Sequence, residues 1–299
     1  MDKKIKVIHF FKSEYLKDCI DLGYLGDENE WNPSREIMLY PCSKLEELKE
    51  EGIRFEGVPN QDQDTGGEEN TFLRSPDDPS LFIQSNNYAD SVIATKEGAI
   101  MEVLQNLGIH EYYIHTLIKG EVGIGKHKET KVNADGNANV KGIEVGSEGN
   151  YQGDENRRTG VKAKSFNVSE YIFNNKEFVL NEKSWKKAMK IAKQYGLDKN
   201  KKVANMLTLR KPGTNNELIS SSTRIDFTGD IKANFDIAKS LRMLAKVPGI
   251  ASIAGGFSNL FSFEAEAQLQ YQTLVIYNFN KEPAIEKIKQ QIKERGEEI

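Results

Sequence analysis

The alternation of apolar and polar residues over positions 261–279 constrains the fold of this chain more than any other feature. From Phe261 onward almost every second residue is apolar or aromatic, while the first intervening positions carry Ser, Glu and Gln. A period of two predicts a strand with one apolar and one polar face. At about 3.3 Å per residue this strand would run about 60 Å, whereas an ordinary strand has about 5–6 residues. Such length favours contact with neighbouring subunits or with a bilayer.

A second alternation covers residues 224–237 and predicts another amphipathic strand. The segment between the two alternations is apolar and rich in glycine, and its only charges over 240–260 are Arg242 and Lys246. We therefore expect a long strand pair over 223–279 whose connector forms the tip.

The whole chain of 299 residues is long enough to bury a sizeable core. The predicted fold class is α+β: an antiparallel twisted sheet with two long amphipathic strand or hairpin regions and several flanking helices. We expect a single domain over 1–299, with a flexible acidic loop at 59–80 and a helical tail at 281–299. Residues 119–165 are rich in glycine and poor in large apolar residues. This insertion is either disordered or a second amphipathic hairpin that orders on assembly.

Shorter elements follow from local signals. Strands are predicted at 5–11, 81–84, 91–94 and 110–118, and 31–41 is predicted to be irregular. Ser43 and Glu46 have the spacing of a capping box for a helix that Gly52 closes, and Thr95 begins a helix through Leu107. A further helix covers 182–195. Asn181 is its predicted N-cap, Gly196 its stop, and Trp185, Ala188, Met189 and Ala192 its apolar side.

Composition excludes several classes of function. The net charge of -4 and the pI of about 5.8 give no global basic field, so no nucleic-acid partner is expected. Cys19 and Cys42 lack metal-ligand spacing and favour a reducing compartment. The apolar run at the N-terminus is too short for a signal peptide, and no apolar run in the chain is long enough for a spanning helix. A cytoplasmic protein is therefore expected, and movement to the membrane is expected under the pore hypothesis.

No catalytic, cofactor-binding or metal-binding residues are predicted, and the chain is not expected to be an enzyme. Residues 120–126 match a phosphate-binding loop up to Lys126, but His127 replaces the Ser or Thr and no helix pattern follows. The four histidines, among them His110 and His115, show no metal-ligand spacing.

One hypothesis is a membrane-inserting protein that oligomerises into a β-barrel pore, in which lipid contacts the apolar faces of the hairpins. The residues predicted to face the membrane are Phe261, Phe263, Ala265, Ala267, Leu269, Tyr271, Val275, Tyr277, Ile225, Phe227, Ile231 and Phe235. Cations are predicted to contact the lipid surface, although a helix packed on a sheet with a solvated lysine face is the commoner explanation for the helical lysines. They are Lys183, Lys186, Lys187, Lys190, Lys193, Arg242 and Lys246.

This arrangement resembles the gasdermins in its two separate amphipathic hairpin regions, its basic helix and its short C-terminal segment. The resemblance is architectural, covers about residues 112–279 and carries over no site residue. It implies a homo-oligomer on an anionic membrane, acting in cell death or defence, and release of the hairpins when an activating protease removes 283–299. Two alternatives remain open. One is a structural assembly subunit of a tube or virion, and the other is a soluble non-enzymatic binding protein.

Overall fold

The computed structural model describes residues 4–11, 36–60, 68–122, 138–140, 143–145, 159–172, 179–214, 220–238 and 269–297. These residues form helices and mixed or antiparallel sheets, which confirms the α+β class. The chain divides into two compact units. Unit 1 comprises 1–92, 120–162 and 229–269, and unit 2 comprises 93–119, 163–228 and 270–299. The single domain stays a prediction, because compactness alone does not test independent folding.

Unit 1 contains a five-stranded sheet in the order β2-β1-β4-β5-β3. Its strands are β1 (Val7–Phe11), β2 (Ile37–Pro41), β3 (Arg54–Glu56), β4 (Thr71–Arg74) and β5 (Leu81–Gln84). Helix α1 (Leu45–Glu50) packs Leu45 and Leu48 into a cluster with Phe10, Phe72 and Phe82. Phe10 and Phe72 contact each other edge-to-face on this side of the sheet, with ring centroids 5.6 Å apart.

The other side of β1 carries a buried histidine. The His9 ring is fully buried, and its Nδ1 lies 2.8 Å from Thr71 Oγ1. Burial lowers the pKa of His9 from 6.5 to about 3, because the buried site disfavours the charged ring. The folded chain therefore keeps His9 neutral across the physiological range.

The stability of the protein should fall in mild acid because of His9. Below pH 6.5 the unfolded chain binds a proton that the folded chain does not, so the free energy of unfolding falls by about 1.4 kcal/mol per pH unit until the folded pKa is reached. Urea unfolding should lose about 2 kcal/mol from this residue between pH 6.5 and pH 5. The His9→Gln variant should show a shallower pH dependence, and an unchanged slope would contradict this assignment.

Unit 2 is built on a four-stranded sheet in the order β10-β11-β6-β9. Its strands are β6 (Glu111–Val122), β9 (Thr159–Ile172), β10 (Ser220–Asp226) and β11 (Gln270–Asn278). β11 runs antiparallel to both β10 and β6, with Val275 opposite Thr223 on one side and Ile114 on the other. In the sequence between β6 and β9, residues of unit 1 form a separate short antiparallel pair, β7 (Ala138–Val140) and β8 (Ile143–Val145). The buried side chains of the two central strands, β11 and β6, therefore lie in the core of unit 2.

The described part of the chain contains five further α-helices. They are α2 (Tyr88–Asn106), α3 (Glu182–Gln194), α4 (Lys201–Leu209), α5 (Thr228–Ala238) and α6 (Ile285–Glu294). The predicted limits of α3 are confirmed: Asn181 Oδ1 accepts from Ser184 N at 2.9 Å, and Gly196 takes a left-handed φ of 67°. The predicted C-terminal helix is also confirmed, with Ile285 and Ile292 buried.

The predicted strand over 224–237 is wrong in its larger part. β10 ends at Asp226, and α5 begins at Thr228. The alternating residues also satisfy a helical period, because Ile231, Asn234, Phe235 and Ala238 are spaced by three or four and all are buried. Of the predicted strand over 261–279, β11 covers Gln270–Asn278, and 261–268 lie outside the described residues.

Several shorter predictions are also corrected. The acidic loop 59–80 contains β4, because the apolar residues of Thr71–Arg74 pair with β1 and β5 despite their polar flanks. Residues 91–94 lie in α2, whose helical contacts override their β-branched composition. Residues 37–41 form β2 beside β1. The helix near Ser43 starts without a side-chain cap, although Gly52 follows its end with a φ of 86°.

Candidate functional site

Both segments predicted to form hairpins are attached to one end of the four-stranded sheet. Gln270 at the start of β11 is paired with Lys119 near the end of β6, and Gln272 is paired with Asp226 at the end of β10. We call this the common end. Strand β6 runs to the common end within the insertion predicted at 119–165, and β10 ends and β11 begins at the same end. The strands that flank the two segments thus form adjacent pairs, β10-β11 and β6-β9, in the sheet.

The apolar faces of β10 and β11 form part of the protein core. Tyr271, Val275, Tyr277 and Ile225 are between 2 and 4 % exposed. Leu269, Phe227, Ile231 and Phe235 are also buried. A small apolar cavity lies against this face and is lined by Ile100, Val103, Leu104, Leu197, Val203, Met206, Thr223, Ile225, Val275 and Tyr277. The predicted membrane-facing residues of the described strands therefore contact protein in this state, while Phe261, Phe263, Ala265 and Ala267 lie outside the described residues.

The C-terminal helix α6 covers the opposite face of the sheet. Its buried Ile285 and Ile292 cluster with Tyr113 of β6 and with Leu274 and Ile276 of β11. Half-buried Ile288 packs against the same cluster. This sheet face is thus closed by a helix of ten residues that belongs to the end of the chain.

A buried carboxylate fastens the start of α6 to the sheet. Glu111, 6 % exposed, accepts hydrogen bonds at Oε2 from Ala284 N at 3.0 Å and from Asn278 Nδ2 at 3.0 Å. A carboxylate at a helix N-terminus also complements the helix dipole. Further along the helix, Lys289 Nζ lies 4.0 Å from the centre of the Tyr113 ring. The tail is therefore held by polar and cation–π contacts as well as by apolar packing.

Helix α5 fits two secondary structures. As a helix it buries Ile231, Asn234, Phe235 and Ala238 and exposes Ala233. As a strand the same residues would place Ile231, Ala233, Phe235 and Ile237 on one face and the polar residues on the other. The helix therefore buries the Asn234 amide and exposes the Ala233 side chain. A strand would instead place Asn234 on its polar face and Ala233 on its apolar face.

A polar network within unit 1 satisfies the buried amide of α5. Asn234 Nδ2 donates to Arg74 O at 2.5 Å and to the Tyr88 hydroxyl at 2.7 Å. The Tyr88 hydroxyl donates in turn to Arg74 O at 3.2 Å, and its ring contacts Phe235 edge-to-face with centroids 5.3 Å apart. Burial raises the pKa of Tyr88 well above its usual value, so the hydroxyl keeps its proton. These hydrogen bonds offset the cost of burying the Asn234 amide and so stabilise the helical form of α5.

Helices α3 and α4 carry an exposed basic surface. Every lysine between residues 182 and 214 is exposed, and the only acids there are Glu182 and Asp198. Lys186 pairs with Glu182 at 3.3 Å, and Lys187 pairs with Glu102 at 2.9 Å. On the predicted apolar side of α3, Ala188 and Ala192 are buried and Trp185 and Met189 are half-buried, and Ile191 is buried as well. The basic surface consists of Lys183, Lys186, Lys187, Lys190, Lys193, Lys199, Lys201, Lys202 and Lys211, while Arg242 and Lys246 lie outside the described residues.

Several titratable side chains among the described residues are buried and stay neutral. No group of His, Cys, Asp and Glu among them is placed to hold a metal ion. His115 is 3 % exposed, and burial followed by the charge of Arg224 lowers its pKa, so it stays neutral inside the sheet. Burial likewise raises the pKa of the Cys42 thiol. Within the described part of the chain, no helix has the length and apolar composition to cross a membrane.

Comparison of the chain with protein-family models, curated proteins and solved structures finds no match.

Sequence reasoning missed helix α4 and the residues that begin it. Asn200 Oδ1 accepts from Lys202 N at 3.0 Å and from Val203 N at 3.2 Å, which is an N-cap. The signal was present, because an asparagine precedes Val203, Met206 and Leu207 at helical spacing. The contacts of Glu111 had no such local signal, because they join residues far apart in the sequence.

Proposed function

We propose that this chain is a cytoplasmic, non-enzymatic protein that oligomerises and inserts amphipathic β-hairpins into a membrane to form a pore, as a cell-death or defence effector. The resemblance to the gasdermins supports this proposal at the level of architecture. No cofactor or nucleic acid takes part. The partners are further copies of the chain, an anionic membrane and an activating protease.

The main observation behind the proposal is that the sequence of α5 satisfies both a helical period and a period of two. A segment that only had to remain a helix would not need an alternation that also separates apolar from polar residues with a period of two. In a membrane, strand pairing satisfies every backbone group, and the sorted faces meet lipid and water. The common end supports the same conclusion, because both insertions would extend from adjacent strand pairs in the same direction.

The basic surface of α3 and α4 fits the initial contact with the membrane. Each lysine near an anionic bilayer adds about 1 kcal/mol of attraction. The exposed lysines of this surface would act before insertion, while the apolar strand faces remain buried.

Helix α6 fits the role of a restraint on the sheet. It covers Leu274 and Ile276 on β11 and Tyr113 on β6, the strands that would extend into the bilayer. Residues 281–283 ahead of the helix are exposed, so a protease can reach the chain there. Cutting at this point would leave only the noncovalent contacts of a short helix, which is marginal in isolation.

Dye release from anionic liposomes tests the proposal. A specific protease site inserted between Glu282 and Pro283 allows the chain to fold intact and to be cut afterwards. We expect the cut protein to release the dye and the intact protein to release at least tenfold less. Liposomes of neutral lipid should leak much more slowly. If neither form of the protein releases dye from anionic liposomes, the pore function is contradicted.

A further inference from the structure

The outer edge of β10 is an end of the four-stranded sheet. Phe227 N donates to Tyr271 O at 2.9 Å, and the register pairs Ile225 with Thr273. Because backbone groups alternate in direction along a strand, the odd-numbered residues of β10 bond to β11. The backbone groups of Ser222 and Arg224 therefore point away from the sheet, where a further strand could pair with them.

Two side chains from the start of α4 cover this edge. Asn200 Nδ2 donates to Arg224 O at 3.1 Å, and Lys202 Nζ donates to Ser222 O at 3.3 Å. We call these two contacts the edge clamp. Exposed strand edges are templates for pairing with other chains, and proteins commonly cover them. Among the described residues the edge clamp does so through two side chains, which can move without taking apart a sheet.

Asn200 has a second role that links the edge to a helix. Its Oδ1 caps α4 while its Nδ2 contacts β10. A shift of the α4 N-terminus would therefore free the carbonyls of Ser222 and Arg224 at the same time. The basic surface begins at this same turn with Lys199, Lys201 and Lys202. Contact of these lysines with an anionic bilayer would draw Lys202 Nζ away from Ser222 O.

We propose that the outer edge of β10 is an assembly interface that pairs with the outer edge of β9 in a second copy of this chain, and that the edge clamp blocks this pairing until the membrane is reached. The proposal deepens the pore function and rests on it. β9 is the other end strand of the same sheet, so each copy offers two different edges. Pairing of two different edges is head-to-tail, and where the rotation between copies closes, the resulting ring leaves no edge unpaired.

The edge clamp is tested with the Asn200→Asp/Lys202→Met double variant. Aspartate keeps the N-cap of α4 but cannot donate to Arg224 O, and methionine cannot donate to Ser222 O. Chemical cross-linking on anionic liposomes should show assembly about tenfold faster than for the unaltered cut protein. The matched control is Asn181→Asp, which makes the same change at the N-cap of α3 and should leave the rate of assembly unaltered. Equal rates for the two variants would overturn the clamp.

The interface itself is tested with Ser222→Pro and with paired cysteines. Ser222 N points away from β11, so proline should preserve the sheet and block the added strand. In a chain without Cys19 and Cys42, Ser222→Cys should form disulfides with cysteines placed along β9 of a second copy, whether or not the proline variant folds. Disulfides only between two Ser222→Cys copies, or none while dye release persists, would overturn the interface and leave the pore function intact. If these disulfides form but none of the tested proteins releases dye, the pore function is contradicted and the interface is not.

Discussion

The Ala233→Arg variant should keep its soluble fold and lose most of its dye release. Ala233 is exposed on α5, so an arginine there meets water in the soluble protein. In a membrane strand, position 233 would lie on the apolar face between Ile231 and Phe235. An arginine facing lipid at the bilayer midplane costs about 2–4 kcal/mol. We expect the cut variant to release dye at least about 30-fold more slowly than the cut unaltered protein.

The matched control for this prediction is Asp236→Arg. Asp236 is also exposed on α5 but belongs to the polar face of the strand. This variant adds the same side chain and more positive charge, so general attraction to the bilayer cannot explain a difference. Its dye release should stay within a few-fold of the unaltered protein, and thermal unfolding should be similar for both variants. Equal effects of the two substitutions on dye release would contradict a lipid-facing strand at 228–238.

The Ile292→Asp variant should release dye without being cut. Ile292 is 4 % exposed and packs α6 onto the sheet cluster. A carboxylate cannot be buried there without a large desolvation cost, so the helix should undock. An undocked helix of this length is not stable alone and should become sensitive to protease. We expect dye release by the uncut variant to rise at least tenfold.

Its control is the neighbouring substitution Gln291→Asp. Gln291 is exposed, so the added charge should leave α6 docked and dye release low. Limited proteolysis at the tail reports undocking independently of leakage. Suppose that the tail of the Ile292→Asp variant is cut readily by protease but the uncut variant releases no dye, while the cut unaltered protein does. This result would show that docking of α6 is not the restraint.

Local signals predicted the elements whose ends are set by their own residues. Helix α3 was predictable because Asn181, Gly196 and the apolar period agree. The C-terminal helix was predictable from the spacing of Ile285, Ile288 and Ile292. The order of the four strands in unit 2 was not, because pairing between β6 and β11 joins residues that are far apart in the chain. For the same reason the contacts of Glu111 and of the edge clamp had to be read from the structure.

The error at 228–238 has a different cause. Its residues satisfy a period of two and a helical period together, so the pattern alone cannot choose between them. In the folded chain the choice falls to tertiary contacts: Phe235 packs on Tyr88, and Asn234 donates to Arg74 O. The partners Tyr88 and Arg74 lie outside the segment, and a rearranged chain would lose these contacts.

The secondary structure of 228–238 on the membrane is the most direct test of the account. Single spin labels at each position from 230 to 237, in a chain without Cys19 and Cys42, report accessibility to oxygen and to a water-soluble nickel reagent. In solution the accessibility should follow the helical period of 3.6. On leaking anionic liposomes we predict a period of two, with positions 231, 233, 235 and 237 open to oxygen dissolved in lipid. A helical period that persists on liposomes that leak would contradict the account.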